Sequence, residues 1–258
     1  MKPFLLVWIC TGILACNSSG KKDPGSAMDD TARMDNPPAT ALKIEPVKGT
    51  EKDIPAGLQL KGKPQEVWTW KDRLGENLLV LTRVEPFDDK AKNEYGEEGQ
   101  TAELLAYHYA RNNGGEYQRV WIMNDGEKSC PFDITCNFVP GAVTITDLDA
   151  DGLAETKIQY LLACRSDVSP SGMNLIMHEG ETKYALRGLT WYGMGDAPFE
   201  ITEQNANLEK LPGYKGGDED IVKAFGRYES EKEFAGAPAE FLSHARNQWL
   251  KFVKESTE

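Results

Sequence analysis

The chain has 258 residues, 40% of them hydrophobic and 27% charged, a balance that suits a globular protein of one or two domains. Its formal net charge is -12. That acidity repels nucleic-acid phosphates and anionic headgroups, so no nucleic acid is expected as an electrostatic partner.

In chain order, Lys2 supplies a positive start and Phe4 to Leu14 an apolar run. The run is shorter than the roughly 20 residues that cross a bilayer. It ends in Ile13-Leu14-Ala15-Cys16, which resembles the lipobox of bacterial lipoproteins. There the leader is cleaved before the cysteine, and the cysteine is lipidated. Leu14 stands where that motif prefers a smaller residue, and polar Asn17-Ser18-Ser19-Gly20 follows at once. Residues 1–15 thus read as a lipoprotein signal peptide and Cys16 as the lipidation site. The alternative is a plain secretory leader in which Cys16 is incidental. A multi-acyl anchor would hold the protein on a membrane, because one chain alone binds only marginally. The expected location is an exported, lipid-anchored one at the outer membrane, on its periplasmic face or at the cell surface. Residues 16–56 are polar, with few aromatics, and read as the lipidated cysteine followed by a disordered tether.

Residues 57–192 read as an antiparallel β domain. Thr156, Ile158, Tyr160, Leu162 and Cys164 share one face of a strand, with Lys157 and Gln159 on the other. Asn77 to Val84, Glu103 to Ala110, Tyr117 to Met123, Ala142 to Ile145, Asn174 to His178 and Lys183 to Arg187 read the same way. "NNGG" (Asn112 to Gly115) and "EGE" (Glu179 to Glu181) are hairpin turns, since Asn and Gly accept positive φ. Two stretches look alike. "VWTWKDRLGENLLVLTRV" and "ELLAYHYARNNGGEYQRVW" match "AVTITDLDADGLAETKIQYLL" and "NLIMHEGETKYALRGL" in their order of strands and turns. This is a candidate internal duplication of a four-strand meander, forming one twisted sheet or two packed ones. The fold class is therefore mainly β, closed by a C-terminal α-helix.

"TDLDADGLAE" (Thr146 to Glu155) carries the densest chemistry. Asp147, Asp149 and Asp151 alternate, Gly152 permits a sharp bend, and the Leu153 carbonyl and Glu155 carboxylate follow. Hard oxygens at this spacing suit one structural Ca2+. The loop is not an EF-hand, because its twelfth position is Ile158, in a strand. Acids at one, three, five and nine with Gly at six resemble the calcium loops of FG-GAP and integrin-type propeller blades, which also join two strands. The competing reading is a metal-free turn whose carboxylates bond its own amides. The counterpart turn, "KDRLGEN", keeps Gly75 but has only Asp72 and Glu76 as acids.

Outside the cytoplasm a disulfide is allowed, and Cys130 with Cys136 is the expected pair across a short loop. Cys164 then remains as a buried, inert thiol. "CRSDVSPSGM" joins two strands through Arg165, Asp167 and Ser169, a candidate ligand loop for a glycan, or else a loop held by its own ion pair. His108, His178 and His244 have no metal-ligand spacing and read as packed or surface residues. No catalytic motif appears, so no catalytic residue is assigned. Residues 193–235 read as an irregular Gly/Pro/Asn-rich connector. In residues 236–255, Pro238 starts a helix whose stripe of Phe241, Leu242, Ala245, Trp249, Phe252 and Val253 packs on the sheet.

"KGKPQEVWTWKDRLGENLLVLT", "SCPFDIT", "TDLDADGLAETKIQY", "CRSDVSPSGMNLIMHEG", "KYALRG" and "APAEFLSHARNQWLKFV" resemble a family of Bacteroidetes envelope proteins. That family is associated with surface polysaccharide (lipopolysaccharide) biosynthesis, and the likeness spans about residues 57 to 255. The resemblance implies a place in the cell envelope and no defined catalytic residues. The expected function is a non-catalytic binding or accessory role, with a glycan or an envelope protein as partner beside the membrane. The alternatives are an enzyme acting on envelope glycans and a purely structural surface lipoprotein.

Overall fold

Among the described residues, extended stretches, most of them with period-two patterning, give ten strands, and cross-strand register collects them into two antiparallel sheets. The computed structural model describes residues 43–93, 96–193 and 200–255. The segments expected to be a signal peptide, the lipidated Cys16 and a tether lie, up to residue 42, outside the described residues.

Sheet one has the order β1 (Val47–Lys48), β2 (Lys63–Asp72), β3 (Gly75–Asp89), β4 (Gly99–Arg111) and β5 (Gln118–Cys130). Sheet two runs β10 (Thr182–Leu189), β9 (Gly172–Glu179), β8 (Glu155–Arg165) and β6 (Asp133–Phe138). The short β7 (Thr144–Thr146) pairs with the start of β8, and β6 with its end. Strands β2 to β5 and strands β7 to β10 therefore form two successive meanders, as the repeated pattern predicts. Asn113 and Gly114 turn the β4–β5 hairpin at φ of 51° and 72°.

The sheets pack face to face. Trp70, Leu79, Leu81, Leu104, Ala106 and Trp121 from sheet one meet Cys136, Ile158, Tyr160, Ile176 and Ala185 from sheet two. Leu78 to Leu81 is uninterrupted apolar sequence because that strand is buried on both faces. Leu78 and Val80 point outward, where Ile54, Leu58 and Leu60 cover them.

That cover corrects the tether boundary. Residues 43–56 include β1, paired to β2, and Ile54, which packs on sheet one, so this stretch belongs to the folded domain. A few apolar residues over an exposed sheet face suffice to order a polar segment.

Sheet two's outer face carries a second core. Met173, Leu175, Met177, Tyr184 and Leu186 meet Phe241, Ala245, Trp249 and Val253 around helix α2 (Ala239–Phe252). The connector contributes a one-turn helix, α1 (Ile221–Ala224), and the buried Ile201, Leu208, Tyr228 and Phe234. Trp249 Nε1 donates to the Gly226 carbonyl at 3.0 Å, so its one polar atom is satisfied. Burial of Phe241 and Trp249 contributes on the order of 2–3 kcal/mol each.

Candidate functional site

The two matching turns touch. Arg73 N donates to the Gly152 carbonyl at 2.9 Å, and Ala154 N donates to Asp72 Oδ2 at 3.1 Å. Asp72 is buried. It also accepts from Trp70 Nε1, Leu74 N and Asn77 Nδ2, at 2.9, 2.7 and 2.8 Å. One carboxylate thus organises the β2–β3 turn and reaches across to the other meander. Gly75 adopts φ of 106°, and a Cβ there would lie 2.3 Å from the Arg111 carbonyl oxygen, so only glycine fits.

The acidic loop between β7 and β8 is built on the same plan with more charge. Gly152, at φ of 83°, and Ala150, at 59°, bend the chain. Asp147 accepts from Gly152 N, Asp149 from Asp151 N, and Asp151 from Leu153 N at 2.7 Å. Glu155 is buried and accepts from Thr146 Oγ1 and Leu148 N at 2.9 and 3.0 Å. Arg73 pairs with Asp151 at 3.1 Å.

Side-chain oxygens of Asp147, Asp149 and Asp151 lie within 4.8 Å of one another, and so do those of Asp149, Glu155 and Glu179. The sequence-predicted carboxylates therefore converge, and they share Asp149 with Glu179, which sequence reasoning missed. Glu179 arrives through register, since it stands directly opposite Glu155 in the β8–β9 ladder. Its place at the end of a strand antiparallel to Thr156–Cys164 was the available signal.

Burial pushes the Glu155 carboxyl up to about 7. Burial also raises Glu179, with Asp149, Asp151 and Asp147 adding to it against Arg73. Glu179 Oε1 is buried without a hydrogen-bond partner among the described residues. The donor set is all oxygen and carries more negative charge than Arg73 offsets, which fits a hard divalent cation.

The remaining predicted residues are arranged differently. The disulfide joins Cys130 to Cys164, with Cα atoms 5.6 Å apart, and not Cys130 to Cys136. Cys136 is a buried free thiol, pushed up to about 11 by burial. The reason is register. Ile134 lies opposite Cys164, so the β5–β6 turn brings Cys130 to the end of β8. Cys136 lies two positions along the ladder, roughly 7 Å further on, and points into the core. Cys164 is thus an exposed, bridged cysteine and not a buried inert thiol.

In the candidate ligand loop, Arg165 pairs with Glu255 at 2.6 Å and donates to the Ser169 carbonyl. Asp167 accepts from Ser169 N and Oγ at 3.0 and 2.6 Å. Glu255 further accepts from Thr190 Oγ1 and Ser171 Oγ. These groups tie the loop to the C-terminus.

The histidines sit in packed contacts. His108 bonds Asn77 Oδ1 through Nε2 at 2.9 Å and stacks on Trp70. His178 stacks on Trp121, centroids 4.0 Å apart, and His244 bonds Thr144 at 3.1 Å. Lys157 is buried under helix α2, where its Nζ donates to Ala142 O, Gln159 Oε1 and Gln248 Oε1. Comparisons with protein-family models, curated proteins and solved structures returned no match.

Proposed function

We propose that this chain is a lipid-anchored cell-envelope protein with a non-catalytic binding or accessory role linked to surface polysaccharide biosynthesis. The observation that carries the reading is Ile13-Leu14-Ala15-Cys16, which resembles a lipobox and is followed directly by a polar stretch. The Cys130–Cys164 disulfide supports it, since structural disulfides belong to oxidising compartments outside the cytoplasm. The family resemblance quoted above points to the same place. Metabolic labelling with a palmitate analogue tests the anchor. The chain takes up label and sediments with outer membranes, and Cys16→Ser abolishes both. Unlabelled wild-type chain in the soluble fraction would overturn the reading. Deletion of the gene is expected to change the amount or size of surface polysaccharide.

Within that reading, the acidic joint holds one structural Ca2+ through Asp147, Asp149, Asp151 and Glu155, with the Leu153 carbonyl. Glu179 is added to that set because its buried Oε1 lacks a hydrogen-bond partner among the described residues. The ion braces a hairpin and takes no part in chemistry. Thermal melts in calcium and in chelator separate by several degrees, and Asp149→Ala removes the separation. Equal melting temperatures for the wild-type chain would reject the site.

A further inference from the structure

Between the β5 edge of sheet one and the β10 edge of sheet two, the sandwich is open. A cavity of about 240 Å³ lies there, lined by Asp125, Tyr160, Ile176, His178, Lys183 and Arg187 among others. Its lining follows from register. Tyr160 pairs with Asn174, which pairs with Arg187, and Thr156 pairs with His178, which pairs with Lys183. Lys183 and Arg187 therefore share the face of sheet two that carries Ile158, Tyr160 and Ile176, the face turned to sheet one.

Each part of the lining has a chemical use. Tyr160, Ile176 and His178 are buried and form an enclosed base, apolar at Ile176. His178 lines the cavity and is 5% exposed, and its enclosed Nδ1 has no hydrogen-bond partner among the described residues. Burial holds that imidazole neutral, down to about 3, so its nitrogen can donate or accept by tautomer. Asp125 accepts the Tyr160 hydroxyl at 2.7 Å and Gly126 N at 2.9 Å, a fixed acceptor group at one end. The cationic pair stands on β10, half-exposed, and Arg187 already holds a carboxylate, that of Glu233. Lys183 lies 3.8 Å from the same carboxylate. The β10 pair thus holds the carboxylate of Glu233, which is not itself a lining residue, and both cations also line the cavity beside Asp125, Tyr160 and Ile176.

We propose that this cleft binds an acidic sugar, a polyhydroxylated ring bearing one carboxylate. Lys183 and Arg187 would take the carboxylate in place of Glu233, Asp125 and His178 the hydroxyls, and Ile176 the C–H face. The cavity has room for about one sugar unit and not for a drug-sized ligand. The proposal rests on the polysaccharide-linked reading above and names the ligand class for it.

The test is calorimetric titration of the full chain carrying Cys16→Ser with D-glucuronate and D-galacturonate, against D-glucose, D-galactose and acetate. The uronates bind at least roughly tenfold more tightly than the neutral sugars, the worth of one charge-assisted contact, and more tightly than acetate, which has the carboxylate without the ring. Arg187→Ala and Lys183→Gln each weaken uronate binding by roughly tenfold or more, and Glu233→Gln strengthens it. Lys183 is on the rim and half-exposed, so its variant reports even where Arg187→Ala fails to fold. Absence of uronate binding overturns the site, and so do equal binding of acetate or glucose and indifference to both β10 substitutions. Such a failure leaves the envelope reading standing, because palmitate labelling and the polysaccharide phenotype judge that reading separately.

Discussion

The two hairpin joints solve one geometric problem with opposite electrostatics. The β2–β3 turn buries a single carboxylate, Asp72, and surrounds it with four N–H donors, one of them from the other meander. The β7–β8 loop gathers Asp147, Asp149 and Asp151, joined by Glu155 and Glu179, around one arginine. A joint of this shape therefore does not require so much charge. The second joint alone brings several carboxylates close enough together to hold a metal ion, the arrangement on which the proposed calcium site rests.

The largest test of this contrast is Asp72→Ala. It strands buried donors in both meanders and costs about 3–5 kcal/mol in denaturant unfolding. A loss under about 1 kcal/mol would mean that the first joint does not depend on its carboxylate.

Opening the disulfide comes next. The bridge joins the end of β5 to the end of β8, while the touching turns sit where β2 ends and β8 begins, so the meanders are tied at both ends. The bridge closes a stretch with a sequence separation of 34, and Cys130→Ser with Cys164→Ser costs about 3–4 kcal/mol. An unchanged denaturation midpoint under reducing conditions would assign all the coupling to the turns.

Acid offers a third test. The unfolded imidazole takes up its proton near pH 6.5, while folded His108 and His178 resist it down to about 3. Each therefore removes stability as pH falls through that window. Glu155 acts in reverse, because its folded form binds a proton near pH 7 and its unfolded form only near 4.5. His178→Phe keeps a ring against Trp121 and deletes one titration. Relative to wild type, it gains about 1 kcal/mol per pH unit between pH 6 and 4. A constant difference across that range would contradict the buried neutral histidine.

The smallest effect is the most discriminating. In chelator, Asp149→Asn relieves repulsion and raises stability by about 0.5 kcal/mol, whereas the same change lowers it in calcium. Loss of stability in both buffers would place the second joint in the same class as the first.

Much of this was legible in the sequence. Strands followed from alternation, as in Thr156 to Cys164, and turns from Gly75, Gly114 and Gly152, whose φ values are positive. The helix followed from the Phe241–Ala245–Trp249 stripe. What the sequence hid depends on register between strands distant in sequence. Cys130 looked nearest to Cys136 along the chain, yet a strand carries Cys136 away and brings Cys164 alongside. Glu179 reaches the acidic loop, and Arg187 the Tyr160 cleft, only through the β8–β9–β10 ladder. Ile54 showed as one apolar residue in polar surroundings until the outer face of sheet one gave it a partner.

The Cys130–Cys164 bridge also decides what a protease can do to this molecule. The acidic loop lies between the two cysteines, and Asp149 to Asp151 include exposed positions at the tip of a turn. A cut there opens a covalent ring and severs nothing, so the nicked chain migrates as one species until it is reduced.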